Sequence, residues 1–277
     1  MNLTWIRTKR ALVLGILTLA LVACATSPTG RRQLMLVSPN EAISASRTAY
    51  VQQMQAFDEK GLISQDRELV ERVNHITGRL VAQAIQMQPR TADWEWSVEV
   101  IDEPETVNAW AMAGGRMAIY TGLIQQTEAT DDEIAQVMGH EIAHALADHT
   151  AERMSVVMAS QLGVLAVGIG TRDDRAMAGA AAAALLAINL PNSRTAEAEA
   201  DRIGIELAAK AGYHPDAAAS LWRKMAAVGG AGPPQFLSTH PAPGNRQQTL
   251  ARLAPQMMPY YEAARNPPVY PIKPGNY

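Results

Sequence analysis

His140-Glu141-Ile142-Ala143-His144 carries the most chemical information in the chain. On a helix, two positions four apart lie about 40° around the axis and one turn along it, so both imidazoles can reach one metal ion. Glu141 follows His140 directly, where its carboxylate can take a proton from water beside the ion without itself being a ligand. That is the arrangement used for zinc-assisted hydrolysis, and one Zn2+ is the expected cofactor. Two nitrogen donors are not enough, because a catalytic zinc usually has three protein ligands and a water.

The third donor has to come from elsewhere. A metzincin-like extension would place a glycine at position 147 and a histidine at 150, but the chain has Ala147 and Thr150. No acid lies between Glu152 and Asp173. Asp148 would be about 12 Å along the helix from His140, too far for the same ion. His149 would lie about 180° around from His140 and is expected to face away, at the solvated end of the helix. What remains is Glu197-Ala198-Glu199-Ala200-Asp201. Glu197 and Asp201 share a helix face, whereas Glu199 is turned about 160° from Asp201 and points elsewhere. One of the two facing acids can bind zinc while the other holds a histidine's second nitrogen. Spacing alone does not choose between them, and it leaves a solvated acidic helix open.

Hydropathy and capping patterns supply the elements that must position these groups. Ser38-Pro39-Asn40-Glu41 reads as a helix start, with the helix running to about Asp58. A second helix follows Ser64, with Leu69, Val73, Ile76, Leu80 and Val81 on one face and His75 at its surface or boundary. Trp94, Trp96, Val98 and Val100 alternate with polar residues as a half-buried strand. Two more extended segments flank Gly114-Gly115. Thr130-Asp131-Asp132-Glu133 is a capping box that opens the helix of the histidine motif, expected to run to about Arg153. Downstream the chain reads as helical. The apolar stretches Met154 to Gly170 and Met177 to Leu190 are shorter than a typical span of roughly 20 residues and are expected as buried helices. Further helices are expected over Thr195 to Lys210, from Pro215 to Met225 and after Gly244, with Gly229 to Pro234 as a loop. The fold class is α+β, mostly helical, with a small sheet from the first half.

At the N-terminus, Arg7, Lys9 and Arg10 precede an apolar run from Ala11 to Val22, as in an export signal. Leu21-Val22-Ala23-Cys24 resembles a bacterial lipobox, in which Cys24 is lipidated after cleavage. The residue that follows is Ala25 rather than an aspartate, which implies the outer membrane, with the mature chain facing the periplasm. Residues 1–23 are thus read as a lipoprotein signal peptide and 24–37 as a lipidated tether with a first extended segment. Residues 38–265 are read as one metallopeptidase domain, and 266–277 as a proline-rich tail. A single cysteine excludes an internal disulfide and a cysteine-rich zinc finger. A net charge of -3 gives no electrostatic footprint for nucleic acid.

The motifs together resemble the zincin-like gluzincin metallopeptidases that include HtpX and the CAAX prenyl proteases. The likeness rests on H-E-x-x-H followed by Asn192-Ser193-Arg194 and the E-x-x-x-D of Glu197 and Asp201. It implies that Glu197 is the third zinc ligand and that Asp201 supports the ligands. Ser238-Thr239-His240-Pro241 with Arg246 resembles a downstream motif of that family near the metal. Asn108-Ala109 and Gly114-Gly115 ahead of Thr121-Gly122 resemble its substrate-binding edge strand, which assigns substrate contacts to Gly114, Gly115, Arg116, Met117 and Ala118. Arg31-Arg32-Gln33-Leu34 soon after the lipobox is typical of its periplasmic lipoproteins, such as LoiP. The likeness covers about Thr29 to Arg252.

The function implied is a zinc endopeptidase that degrades unfolded or misfolded outer-membrane or periplasmic proteins. Glu141 would be the base, with His240 or Arg246 stabilising the oxyanion. The alternative is a lipoprotein chaperone or assembly factor whose zinc site is structural or latched by His240 as a fourth ligand. Metal storage is a weaker reading, since storage does not need Glu141.

Overall fold

The computed structural model of the chain describes residues 24–171, 178–179, 193–228, 234–241 and 244–272. The expected signal segment at 1–23, most of the apolar stretch at 177–190, Asn192 and the glycine-rich stretch at 229–233 lie outside the described residues. The chain divides into two compact units, one of 1–38 with 151–189 and one of 39–150 with 190–277.

In the first unit, β1 (Cys24–Thr26) and β2 (Arg32–Leu34) pair antiparallel, with Ala25 opposite Gln33. The segment read as a tether is therefore a short hairpin. Its turn uses Gly30 at φ 87, a left-handed conformation that costs glycine little. Nη1 and Nη2 of Arg31 each donate to the Glu152 carboxylate at 2.6 Å, and Val37 N donates to Ser155 Oγ at 2.9 Å.

The second unit opens with α1 (Pro39–Asp58) and α2 (Arg67–Met87), the latter capped by the Asp66 carboxylate accepting from Leu69 N. Three strands follow: β3 (Ser97–Ile101), β4 (Ala109–Met112) and β5 (Arg116–Tyr120). Trp94 and Trp96 precede β3 rather than forming it, but Trp96 is buried and its Nε1 donates to Thr91 O at 2.9 Å. The sheet order is β3-β5-β4, with β3 parallel and β4 antiparallel to β5. Period-two alternation divides its residues. Ile101, Ala118 and Tyr120 meet Tyr50 and Met54 of α1, while Val98, Val100, Met117 and Ile119 join the main helical core.

This strand order corrects one expectation. Arg116, Met117 and Ala118 lie in the middle strand, with both edges paired, and Gly114 and Gly115 make the turn that leads into it. None of the five can add a substrate strand; the edges are β4 and β3, and the outer side of β3 already pairs with Leu62 and Ser64.

The helices that follow are α3 (Thr121–Gln126), α4 (Asp131–Leu146), α5 (His149–Thr171), which belongs to the first unit from residue 151 on, α6 (Arg194–Lys210), α7 (Ala217–Ala227), α8 (Gln235–Thr239) and α9 (Arg246–Ala263). Both halves of the Thr130–Glu133 capping box are present at the start of α4. The helix stops sooner than expected: Ala147 caps it and Asp148 adopts φ 53, so α5 is a separate helix. Arg90 donates to Leu146 O at 3.0 Å and to Asp148 Oδ2 at 2.9 Å, securing this break. Among the described residues, no helix is long and apolar enough to cross a membrane.

The pair α4 and α6 sets the site. At their crossing a Cβ on Gly204 would lie 2.8 Å from His140 N and Cα, and one on Gly139 would lie 2.9 Å from Gly204 O. Two glycines therefore let the backbones touch where the histidine motif faces the acids of α6.

Candidate metal centre

His140 and His144 lie one turn apart on α4, and Glu197 stands in the first turn of α6, whose N-cap Ser193 accepts from Ala196 N. His240 follows the short helix α8. One donor atom from each of His140, His144, Glu197 and His240 falls within 4.8 Å of the others, and all four residues are buried. His144 Nε2 is 3.0 Å from His140 Nε2, and Glu197 reaches His140 Nε2 at 3.3 Å and His144 Nε2 at 3.4 Å. The three residues that the motifs offer as ligands thus converge, and His240, a fourth donor only in the alternative reading, converges with them.

The surroundings orient these donors. Asp201 Oδ1 is 3.0 Å from His140 Nδ1, so the carboxylate holds the nitrogen opposite the cluster, as expected. His240 Nδ1 lies 3.0 Å from Thr239 Oγ1 and 3.1 Å from Phe236 O, and a proton on Nδ1 suits the carbonyl, which can only accept. Its Nε2 then presents a lone pair to the cluster. The ring also stacks on Phe236 at 4.2 Å between centroids.

Glu141 is buried beside the cluster. Its Oε2 accepts from Ala111 N of β4 at 3.1 Å, and Oε1 is 3.3 Å from His240 Nε2. Sequence reasoning did not anticipate that the edge strand would touch the base. Asn108 O accepts from Tyr120 N and Met112 O from Gly115 N, so alternation turns the backbone groups of Ala109 and Ala111 outward from the sheet.

Arg246 faces His140 and the acids of α6. Its Nη2 donates to Asp201 in a very short contact and lies 3.2 Å from His140 Nδ1, while Nη1 is 3.4 Å from Glu197 Oε2. Its guanidinium lies 3.3 Å from the centre of the Trp222 ring. Arg246 therefore braces the acids behind His140, and the oxyanion role offered for it does not fit. Neither this nor the part of Trp222 had a local sequence signal, because both follow from where α7 and α9 pack.

His149 is a second correction. It was expected to be solvated, but the break at Asp148 brings it back beneath His144. It is buried, its Nδ1 is 2.8 Å from His144 Nδ1, and its Nε2 is 3.1 Å from Glu199 Oε2. Glu199 does point away from the cluster, as expected, but onto this ring. His75 and His214 take no part in the cluster.

The electrostatics call for a cation. Burial alone would raise Glu197, but the imidazoles of His140 and His144 beside it hold its carboxyl well below the usual carboxylate range. Burial and Arg246 would lower His140, yet Asp201 and Glu197 raise it to about 9. Burial pushes Glu141 up to about 8, holds His144 well below its ordinary value and lowers His240 to about 4. With the histidines neutral, as metal binding requires, ionised Glu141, Glu197 and Asp201 face Arg246 among these residues, which leaves an excess of two negative charges for a cation to answer. Glu141 Oε1 and Glu197 Oε1 are buried without a hydrogen-bond partner. A divalent ion among three imidazoles and a carboxylate answers both, and that donor set suits zinc.

Comparison with known proteins adds to the geometry. The sequence pattern described as Peptidase family M48 matches residues 66–254. The metalloendopeptidase OMA1 of Bos taurus mitochondria is 34% identical over 254 residues, covering 87% of this chain and 48% of that protein. The beta-barrel assembly-enhancing protease of Yersinia pestis is 30% identical over 226 residues, covering 78% of this chain and 44% of that protein. Metalloprotease YcaL of Escherichia coli (strain K12) is 26% identical over 248 residues, covering 84% of this chain and 95% of that protein. The chain spans about half the length of the mammalian OMA1 proteins it matches. These names bear on the family and not on the narrower likeness to HtpX, the prenyl proteases or LoiP.

Proposed function

We propose a function from one premise: the chain belongs to peptidase family M48. On our reading it is a zinc-dependent endopeptidase that cuts unfolded polypeptide. The observation that carries the reading is the convergence of His140, His144, Glu197 and His240 on one buried point beside Glu141. His140, His144 and Glu197 would hold the ion. When bound, zinc supplies Lewis acidity toward water and the scissile carbonyl. Glu141 accepts the proton of the attacking water at Oε1 and returns it to the leaving amine. The outward carbonyls of Ala109 and Ala111 would accept from an extended substrate segment, which favours unfolded chain over folded surfaces. His240 would act in one of two opposed ways: as fourth donor through Nε2 it closes the resting site, or, swung aside with its proton moved to Nε2, it donates to the oxyanion.

We further propose that the protein is an outer-membrane lipoprotein anchored through Cys24 and facing the periplasm, where it removes misfolded proteins. The lipobox of Leu21-Val22-Ala23-Cys24 supports this, and the name of the Yersinia pestis relative links a similar chain to beta-barrel assembly. The place of His240 in the cluster also favours a second reading, a chaperone or assembly factor with a closed zinc site. Incubation of the purified mature chain with an unfolded outer-membrane protein tests the two. Cleavage abolished by a chelator and restored by zinc is expected. Suppressed aggregation without cleavage by zinc-loaded protein would favour the second reading.

A further inference from the structure

Each histidine ligand has one nitrogen facing the cluster and one facing away. His140 turns its outer nitrogen, Nδ1, to Asp201. His144 turns its outer nitrogen, also Nδ1, to His149 rather than to an acid. Two ring nitrogens 2.8 Å apart can share only one proton. His144 Nε2 faces His140 and Glu197, so it must hold a lone pair to bind an ion, and its proton then sits on Nδ1. His149 Nδ1 must therefore accept. A neutral His149 that accepts at Nδ1 carries its own proton on Nε2, and that is the nitrogen 3.1 Å from Glu199 Oε2. With both rings neutral, this arrangement of protons satisfies the contacts among His144, His149 and Glu199 and leaves His144 Nε2 ready for a metal.

We propose that His149 and Glu199 are positioning residues for the metal: Glu199 fixes the tautomer of His149, and His149 fixes the tautomer and ring plane of His144. The inference rests on the zinc reading above. His144, His149 and Glu199 are all buried, so water does not compete for these contacts. The helix break at Asp148 makes the arrangement possible, since a continuous helix would turn His149 about 140° from His144. Helix α6 thus serves both histidine ligands from two faces, with Asp201 directly on His140 and Glu199 through His149 on His144.

Zinc affinity of the purified full chain, measured by chelator competition, tests the proposal, together with the visible spectrum of the cobalt-substituted protein and the melting temperature without metal. His149→Phe keeps an aromatic ring but cannot accept from His144. It should weaken zinc binding roughly 10–100-fold and alter the cobalt spectrum. His149→Gln offers an oxygen to accept and an amide to donate, and should recover part of the loss. Glu199→Gln should weaken binding in the wild-type background but add little in the His149→Phe background, because Glu199 acts through the ring. If His149→Phe proves too unstable to purify, Glu199→Gln decides alone. Wild-type affinity and an unchanged cobalt spectrum in His149→Phe, or in Glu199→Gln where that decides, would overturn the proposal while leaving the zinc reading intact. A wild-type chain that binds no zinc would overturn both.

Discussion

Substituting Gly204 with alanine tests whether the contact between α4 and α6 sets the metal centre. The new Cβ would sit 2.8 Å from His140 N and Cα and 3.0 Å from Gly139 C. These are backbone atoms of a buried helix, with no flexible side chain to yield. Ordinary contact needs about 3.5–4.0 Å, so the helices must separate by roughly 0.5–1 Å. Overpacking of this kind costs about 1–3 kcal/mol, or a melting shift of roughly 2–12 °C at about 2–4 °C per kcal/mol. The same displacement carries Glu197 away from His140 and His144. Zinc–oxygen and zinc–nitrogen bonds of about 2.0–2.2 Å tolerate little of it. Zinc affinity should therefore fall along with stability. Gly163→Ala is the control, because nothing lies within 4 Å of its Cβ and alanine favours a helix. Calorimetric melts without metal, paired with zinc titration, read both effects. Unchanged melting and unchanged zinc affinity in Gly204→Ala would refute the close-contact argument.

Other substitutions probe separate parts of the account. Asp201→Ala leaves His140 Nδ1 and Arg246 without their shared carboxylate and should weaken zinc roughly 10–100-fold by chelator competition, with Glu141 untouched. His240→Ala should keep zinc and raise basal cleavage, including self-cleavage, if His240 closes the resting site; a fall of roughly 10²–10³ would instead assign it to the oxyanion. For Glu133, burial would raise the carboxyl, but Lys224, Ser220 and the Thr130 backbone together lower it. A lowered folded pKa adds stability above the unfolded value and loses it as pH falls through the folded one. The melting gap between wild type and Glu133→Gln should thus be constant near neutrality and close below about pH 4.5.

Much of this site could be read from residue spacing because its chemistry is local to two helices. His140 and His144 had to share a face once the Thr130–Glu133 capping box committed the segment to a helix, and Glu197 and Asp201 followed the same rule. What escaped was tertiary. A single left-handed residue, Asp148, ended a helix that had no glycine or proline to mark its end, and that alone reversed the reading of His149. The order of β4 and β5 was also missed. Yet all five residues of β5 are buried, and the apolar run of Met117, Ala118, Ile119 and Tyr120 has the character of a central strand. Arg246 comes beside His140 but on the side of Asp201, since its direction depends on Trp222 and the acids of α6.

The central claim is that the cluster holds zinc for peptide hydrolysis with Glu141 as base. Its most direct test is Glu141→Gln, with zinc content and cleavage of an unfolded outer-membrane protein measured on the same preparation. The account predicts one zinc per chain, as in the wild type, and no detectable cleavage. Undiminished cleavage by the zinc-loaded variant would contradict it.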